Sequence, residues 1–428
     1  VTSCLRFFCE IAYRYFDPPD RKSNVSIPAL TAPSPLLTPE GAPAISDWSI
    51  TPGKVHLNHG SYGAVPLAAQ QQQLRLKVEM DQNPCTWFMG QAATLAGTRV
   101  GIAEFLRVPH EDMALVINAS AGVSAVYNSL PFADGAEIVT TDHAYGAVLE
   151  GAKRIARKHN GKVQVASVPL DADAALVLEL VMAQVNDRTA LIVIDQITSA
   201  TARRFPVVEI AAAAGKLGVP VLVDGAHAPG VLAEPVPDFD GFWVGNLHKF
   251  ACAPRGTAAL VARGAFRRYL EPLIDSWGFP HVFPESFDHV GTQDITSWMS
   301  ARTAFDTVEA RYGWDGFRSY AASLGDYGQH IVQHAFSALT GEDASVGVGM
   351  PVDPLRLIRL PRGLAETHED SHAVRALISD VLDFETAITT FGGAGYLRLS
   401  THLYNTPADY EAFAERAVPA LAKLAQAR

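Results

Sequence analysis

Seven short apolar runs separated by helical patterns, between about Asp112 and Arg263, constrain this chain more than any other feature. They read ALVINA (114–119), AEIVTT (136–141), VQVASV (163–168), TALIVID (189–195), VPVLVD (219–224), GFWVGN (241–246) and TAALVA (257–262). Between them, segments such as 173–186 and 207–217 carry Ala, Leu and Val at helical spacing. A strand with one wet face alternates apolar and polar residues. Strands apolar throughout, with helices between them, predict an α/β domain: a mostly parallel seven-stranded sheet covered on both faces. Ligands of such sheets sit at the carboxyl ends of the strands, so the residues just past each run are the ones to inspect.

The whole chain has 428 residues, more than one compact core usually holds. Beyond about residue 300 the pattern changes to a helical stretch, RLIRLP (356–361), a helix near 370–382, a strand containing YLRLS (396–400) and a closing helix from Pro407. That predicts a smaller α+β domain. Residues 17–52 contain eight of the 27 prolines and read as an extended lead-in over their own domain or a partner chain. The expected divisions are therefore 1–52, a lead-in; 53–300, the large domain; and 301–428, the small one. Residues 1–16 mix Arg6, Glu10 and Arg14 among aromatics, with no small-residue cleavage site after them. They read as a short helix or an ill-defined extension rather than a secretory signal.

Composition excludes several function classes. The formal charge of −11 argues against a nucleic-acid binder. No apolar stretch reaches the roughly 18–20 residues that cross a bilayer, so no membrane partner is expected. Cys4, Cys9, Cys85 and Cys252 form neither a disulfide framework nor a CxxC zinc site, and a reducing cytoplasm is the expected home.

The strand ends carry the chemistry. Asp224 closes the apolar run VLVD and is followed by GAHAPG (225–230). Alone, such a carboxylate is a helix cap, a metal ligand or the partner of a positively charged ring. The run GFWVGN leads into Leu247-His248-Lys249, and lysines are rarely placed there for packing. An amine opposite a carboxylate at neighbouring strand ends suits an imine with an aldehyde cofactor, the acid keeping a pyridine nitrogen protonated so that the ring is an electron sink. The bland alternative is a surface lysine. NASAGV (118–123) follows a strand and opens a helix, offering backbone N–H groups and the Ser120 hydroxyl to a phosphate. After the next run, TDHAYGA (141–147) supplies His143 and Tyr145, either of which could stack on the ring or simply start a helix.

Taken in order, LNHGSYG (57–63), DQNP (81–84), GNLHKFACAPRG (245–256), SWG (276–278), GTQD (291–294) and LRLSTHLYNTPADY (397–410) resemble motifs of the fold-type I pyridoxal 5′-phosphate (PLP) enzymes of aminotransferase class V. The resemblance spans roughly 50–420 and is nearest the isopenicillin N epimerase-like branch. It implies the PLP-dependent transferase fold, a homodimer with shared active sites and an amino-acid substrate. It implies that Lys249 carries the cofactor, that Asp224 pairs with the ring nitrogen and that His227 bonds the ring's phenolic oxygen. Ser120, Ala121 and Asn246 or His248 would hold the phosphate, completed by Gly291-Thr292 of the partner subunit. Arg398 would bind the substrate carboxylate, which suits an arginine in an apolar strand pattern; a rim salt bridge is the alternative. Asn58 and His59 would face the substrate, or else cap a Gly-rich turn.

Three departures bear on the reaction. No cysteine follows Cys252, which excludes a persulfide-forming desulfurase unless an earlier loop supplies the thiol. Ser199 stands near the position of a ring-contacting asparagine, and Gln293 replaces an arginine of the epimerase branch. With Lys249 as base, β-elimination from an S-substituted cysteine, in sulfur or secondary metabolism, needs one well-placed group. Epimerisation needs a second acid such as Tyr145 or His59 on the opposite face. Transamination, decarboxylative deamination and a catalytically inactive binding subunit complete the alternatives; the absorbance of a bound cofactor separates the last from the rest.

Overall fold

The computed structural model describes residues 30–428, in two compact units. The expectations for residues 1–16 and for 17–29 of the lead-in, and the cysteines Cys4 and Cys9, lie outside the described residues. The larger unit comprises 63–199 and 203–314; the smaller comprises 30–62, 200–202 and 315–428.

All seven predicted strands form in the larger unit: β1 (Met113–Val116), β2 (Glu137–Thr141), β3 (Val163–Ala166), β4 (Thr189–Asp195), β5 (Val221–Asp224), β6 (Phe242–Asn246) and β7 (Ala258–Ala262). They make one sheet in the order β1-β7-β6-β5-β4-β2-β3. β2 through β6 pair in parallel, whereas β7 runs antiparallel to both β6 and β1. The carboxyl ends of β1, β2, β4, β5 and β6 therefore share one edge. The interior strands β2, β5, β6 and β7 are buried along their whole length, while β3, at the sheet's end, is half exposed. The run 114–119 ends as a strand at Val116: Asn118 caps the helix Ala119–Ser129, accepting from the Ala121 amide at 2.8 Å. Gly122 lets that helix lie close on the sheet, since a Cβ there would meet Val244 Cγ1 at 2.8 Å. Val116, Val126, Ile138, Leu191, Leu222 and Val244 belong to the core so formed.

The smaller unit holds an antiparallel sheet of Ala387–Phe391, Ala394–Ser400 and Leu355–Arg359, with the second strand central. The helices His368–Leu382 and Trp314–Thr340 supply its apolar cover. The threonine-rich Ala387–Phe391 lacks the continuous apolar signature and was not expected as a strand. Val55–His56 pairs in parallel with Phe384–Glu385, and Leu57 is buried in this unit's core. Residues 53–62 thus fold with the smaller unit. The helix Ala301–Tyr312 belongs to the larger one, where Phe305 stacks on Phe105 at 3.9 Å.

Candidate active site

The turn after β6 presents Lys249. Two glycines hold it: a Cβ at Gly63 would strike the carbonyls of Lys249 and His248, and one at Gly230 would strike that of Phe250. Arg255 donates to the Gly63 carbonyl at 2.8 Å, and the Cys252 amide donates to the Lys249 carbonyl at 2.9 Å. The amine so fixed lies 3.1 Å from His227 Nε2. Asp224 ends β5 and accepts from the Ala226 amide at 3.0 Å. Burial pushes its pKa up, and the Ala226 amide and the charge of Lys249 draw it back. Lys249, His227 and Asp224 are therefore gathered at the strand ends.

Asp195 ends β4 directly beside Asp224 in register and is as deeply buried. Sequence reading passed over it, although TALIVID closes on an acid just as VLVD does. Burial and the neighbouring Asp224 raise its pKa well above the usual carboxylate range. Both acids also raise the pKa of the buried Tyr127, whose hydroxyl donates to the Val148 carbonyl at 3.1 Å.

The structure separates the two candidates after β2. His143 is buried, with Nε2 2.7 Å from the Val168 carbonyl and its ring edge-on to Phe205. Burial is also what lowers its pKa most. Tyr145 precedes the helix Gly146–Lys158 and is 47% exposed.

Around the helix Ala119–Ser129, the first-turn amides of Ala119 and Ala121 are committed to Asn246 Oδ1 and Asn118 Oδ1, each at 2.8 Å. Ser120 is exposed. His248 Nδ1 lies 3.0 Å from the Thr257 carbonyl, which can only accept, so the ring proton is on Nδ1. Burial, with Lys249 and Arg255 nearby, brings the His248 pKa down to about 4. Ser199 is half-buried in the loop after β4. Thr292 is exposed, follows Gly291 (φ +96°) and lines a surface groove of about 420 Å³ with Cys85, Met89 and Trp277.

In the smaller unit Arg398 is only 2% exposed on its strand. It donates to Ser61 Oγ at 2.9 Å and Asn58 Oδ1 at 3.4 Å, and burial lowers its pKa to about 10. Asn58 is held in turn by the Thr386 carbonyl at 3.2 Å. Ser61, another residue not singled out in the sequence, lies in the same NHGSYG segment. His59 is buried, with Nδ1 2.8 Å from the Tyr404 hydroxyl and its ring stacked on His402 at 3.6 Å.

A strand-end lysine, a buried acid on the neighbouring strand and a helix start on the same edge fit a pyridine aldehyde phosphate. The aldehyde needs the amine, the ring nitrogen needs the acid, and an anion is favoured at a helix N-terminus. The comparisons agree with that chemistry. The chain belongs to the aminotransferase class-V family, whose sequence profile matches residues 86–342. It is 25% identical over 400 residues to the isopenicillin N epimerase of Streptomyces clavuligerus, covering 87% of this chain and 98% of that one. It is 24% identical over 299 residues to the hercynylcysteine sulfoxide lyase of Schizosaccharomyces pombe, covering 67% and 76%. A solved mutant of C-DES with glycine covalently linked to its PLP cofactor superposes with a TM-score of 0.70 at 17% identity, over 87% of this chain and 97% of that one. The fold is that of fold-type I PLP enzymes, and the cofactor is PLP.

Proposed function

We propose that the protein catalyses β-elimination from an S-substituted cysteine, releasing a thiol or a related sulfur group. The observation that carries the reading is the amine of Lys249, 3.1 Å from His227 Nε2 and beside the end of β5 where Asp224 is buried. Bound PLP supplies an electron sink for the α-carbon of an amino acid.

Lys249 Nζ would hold the cofactor, and its amine is the base placed to take the proton from the substrate's α-carbon. Asp224 would hold a proton on the ring nitrogen, and His227 Nε2 would bond the phenolic oxygen. Tyr145, exposed beyond the end of β2, would pack on the ring, and the buried His143 supports the turn that carries it. Ser120 and His248 hold the phosphate. Asn246 and Ala121 act one step back by forming the helix start. Beside a bound phosphate, His248 Nε2 would take up a proton against the low pKa that burial sets. Arg398, oriented by Asn58 and Ser61, takes the substrate carboxylate as a fork. One base at Lys249 suffices for elimination, and a lyase of an S-substituted cysteine is among the relatives.

The near-complete coverage of the isopenicillin N epimerase supports epimerisation as a second reading. In that case Tyr145 is the second acid. Incubation with S-alkyl cysteines in D₂O separates the two. Pyruvate and free thiol support elimination. Deuterated, racemising substrate without pyruvate supports epimerisation.

The protein is proposed to act as a homodimer. Met89, Trp277 and Val282 are 89%, 81% and 78% exposed, and Met89 and Trp277 line the Thr292 groove. A second copy of the chain would cover such a surface, with Thr292 completing its partner's phosphate site.

A further inference from the structure

Asp195 and Asp224 are register partners on adjacent parallel strands, so their side chains leave the same face of the sheet about 5 Å apart at the backbone. Both are buried. The charged and titratable groups acting on the pair are Lys249, from the turn after β6, and Tyr127, from the helix packed on the sheet. Lys249 lies in turn 3.1 Å from His227 Nε2. One cation therefore serves two buried acids. Two carboxylates so placed do not both ionise readily in an apolar interior, and their protons belong to the pair.

We propose that Asp195 is a positioning residue of the cofactor site: its carboxyl and that of Asp224 hold one proton between them. The proton resides mainly on Asp195. Asp224 then stays anionic toward the ring nitrogen, and the strand ends carry one negative charge rather than two. Neither acid needs an external counter-ion. The inference rests on the assignment of Asp224 and Lys249 above and adds a second acid to it.

Infrared spectroscopy of the holoenzyme labelled with ¹³C-aspartate, recorded at pH 8, reads the proton directly. At that pH Asp288, raised to about 6 by burial, is ionised. A protonated carboxyl band is expected, and Asp195→Asn should remove it. The amide preserves the neutrality of a protonated carboxyl. The visible absorbance of the Lys249-bound cofactor should therefore titrate within about half a unit of the wild-type midpoint in this variant. Absence of the band from the wild type, or a midpoint shift of about one unit or more in Asp195→Asn, would overturn the proposal by showing Asp195 to be a second anion. Asp224→Asn is titrated alongside. An unshifted midpoint there would overturn the assignment of Asp224 itself, whatever the Asp195 variant does.

Discussion

Lys249 Nζ lies 3.1 Å from His227 Nε2, on a turn locked by Gly63 and Gly230, where a Cβ would strike the turn's own carbonyls. The chain spends two glycines and the Arg255 bond to Gly63 on placing one amine, which a surface lysine would not need. The neighbouring strand ends at Asp224. Amine and acid thus stand together through sheet order alone, since β5 and β6 are adjacent and parallel.

Asp224→Asn should preserve the fold and lower kcat far more than cofactor affinity. A neutral amide cannot hold the ring nitrogen protonated, so a loss of at least ~100-fold in kcat is expected. Steady-state kinetics together with equilibrium PLP binding check this. Unchanged turnover would make Asp224 a cap.

Arg398→Ala should raise KM for the amino-acid substrate by about one to three orders of magnitude, the size that losing a buried charge pair worth roughly 2–5 kcal/mol implies. The cofactor spectrum should be unchanged. Arg398→Lys should restore little, because a point charge does not reproduce the fork. Loss of PLP with normal substrate binding would move Arg398 out of the substrate's reach.

His248 gives the apo-protein a pH signature. Its ring titrates near 4 in the folded chain against an ordinary 6.5. On acidification the unfolded chain takes up the proton first. The stability present above pH 6.5 is therefore lost as pH falls toward 4, by up to about 3 kcal/mol. Denaturant titrations at several pH values should show this slope, and His248→Gln should flatten it. An identical slope in the variant would place the His248 ring in solvent.

Light scattering of the holoenzyme should give a dimer, and Trp277→Asp should shift it toward monomer with loss of PLP. A wild-type monomer with full cofactor content would remove Thr292 from any partner's phosphate site.

The sequence made the large sheet legible because strands buried on both faces are apolar throughout, and nothing else in the chain reads that way. Lys249 and Asp224 stood out because each is a polar residue ending such a run. Asp195 ends one too, but a single acid after a strand reads as a cap until the register sets it beside Asp224. His143 and Tyr145 are two residues apart in one turn, and only backbone geometry decides that the first turns inward to Val168 while the second stays exposed. The fold of residues 53–62 was hidden for a related reason. Val55 and Leu57 find their partners at Phe384 and Glu385, more than 300 residues on, a pairing no local pattern announces.

The central claim is that Lys249 holds the cofactor. Borohydride reduction of the PLP-loaded protein, followed by peptide mapping, tests it most directly. A single phosphopyridoxyl label is expected on the peptide containing Lys249, and none in Lys249→Ala. A label on Lys153 or Lys216 instead, persisting in that variant, would contradict it.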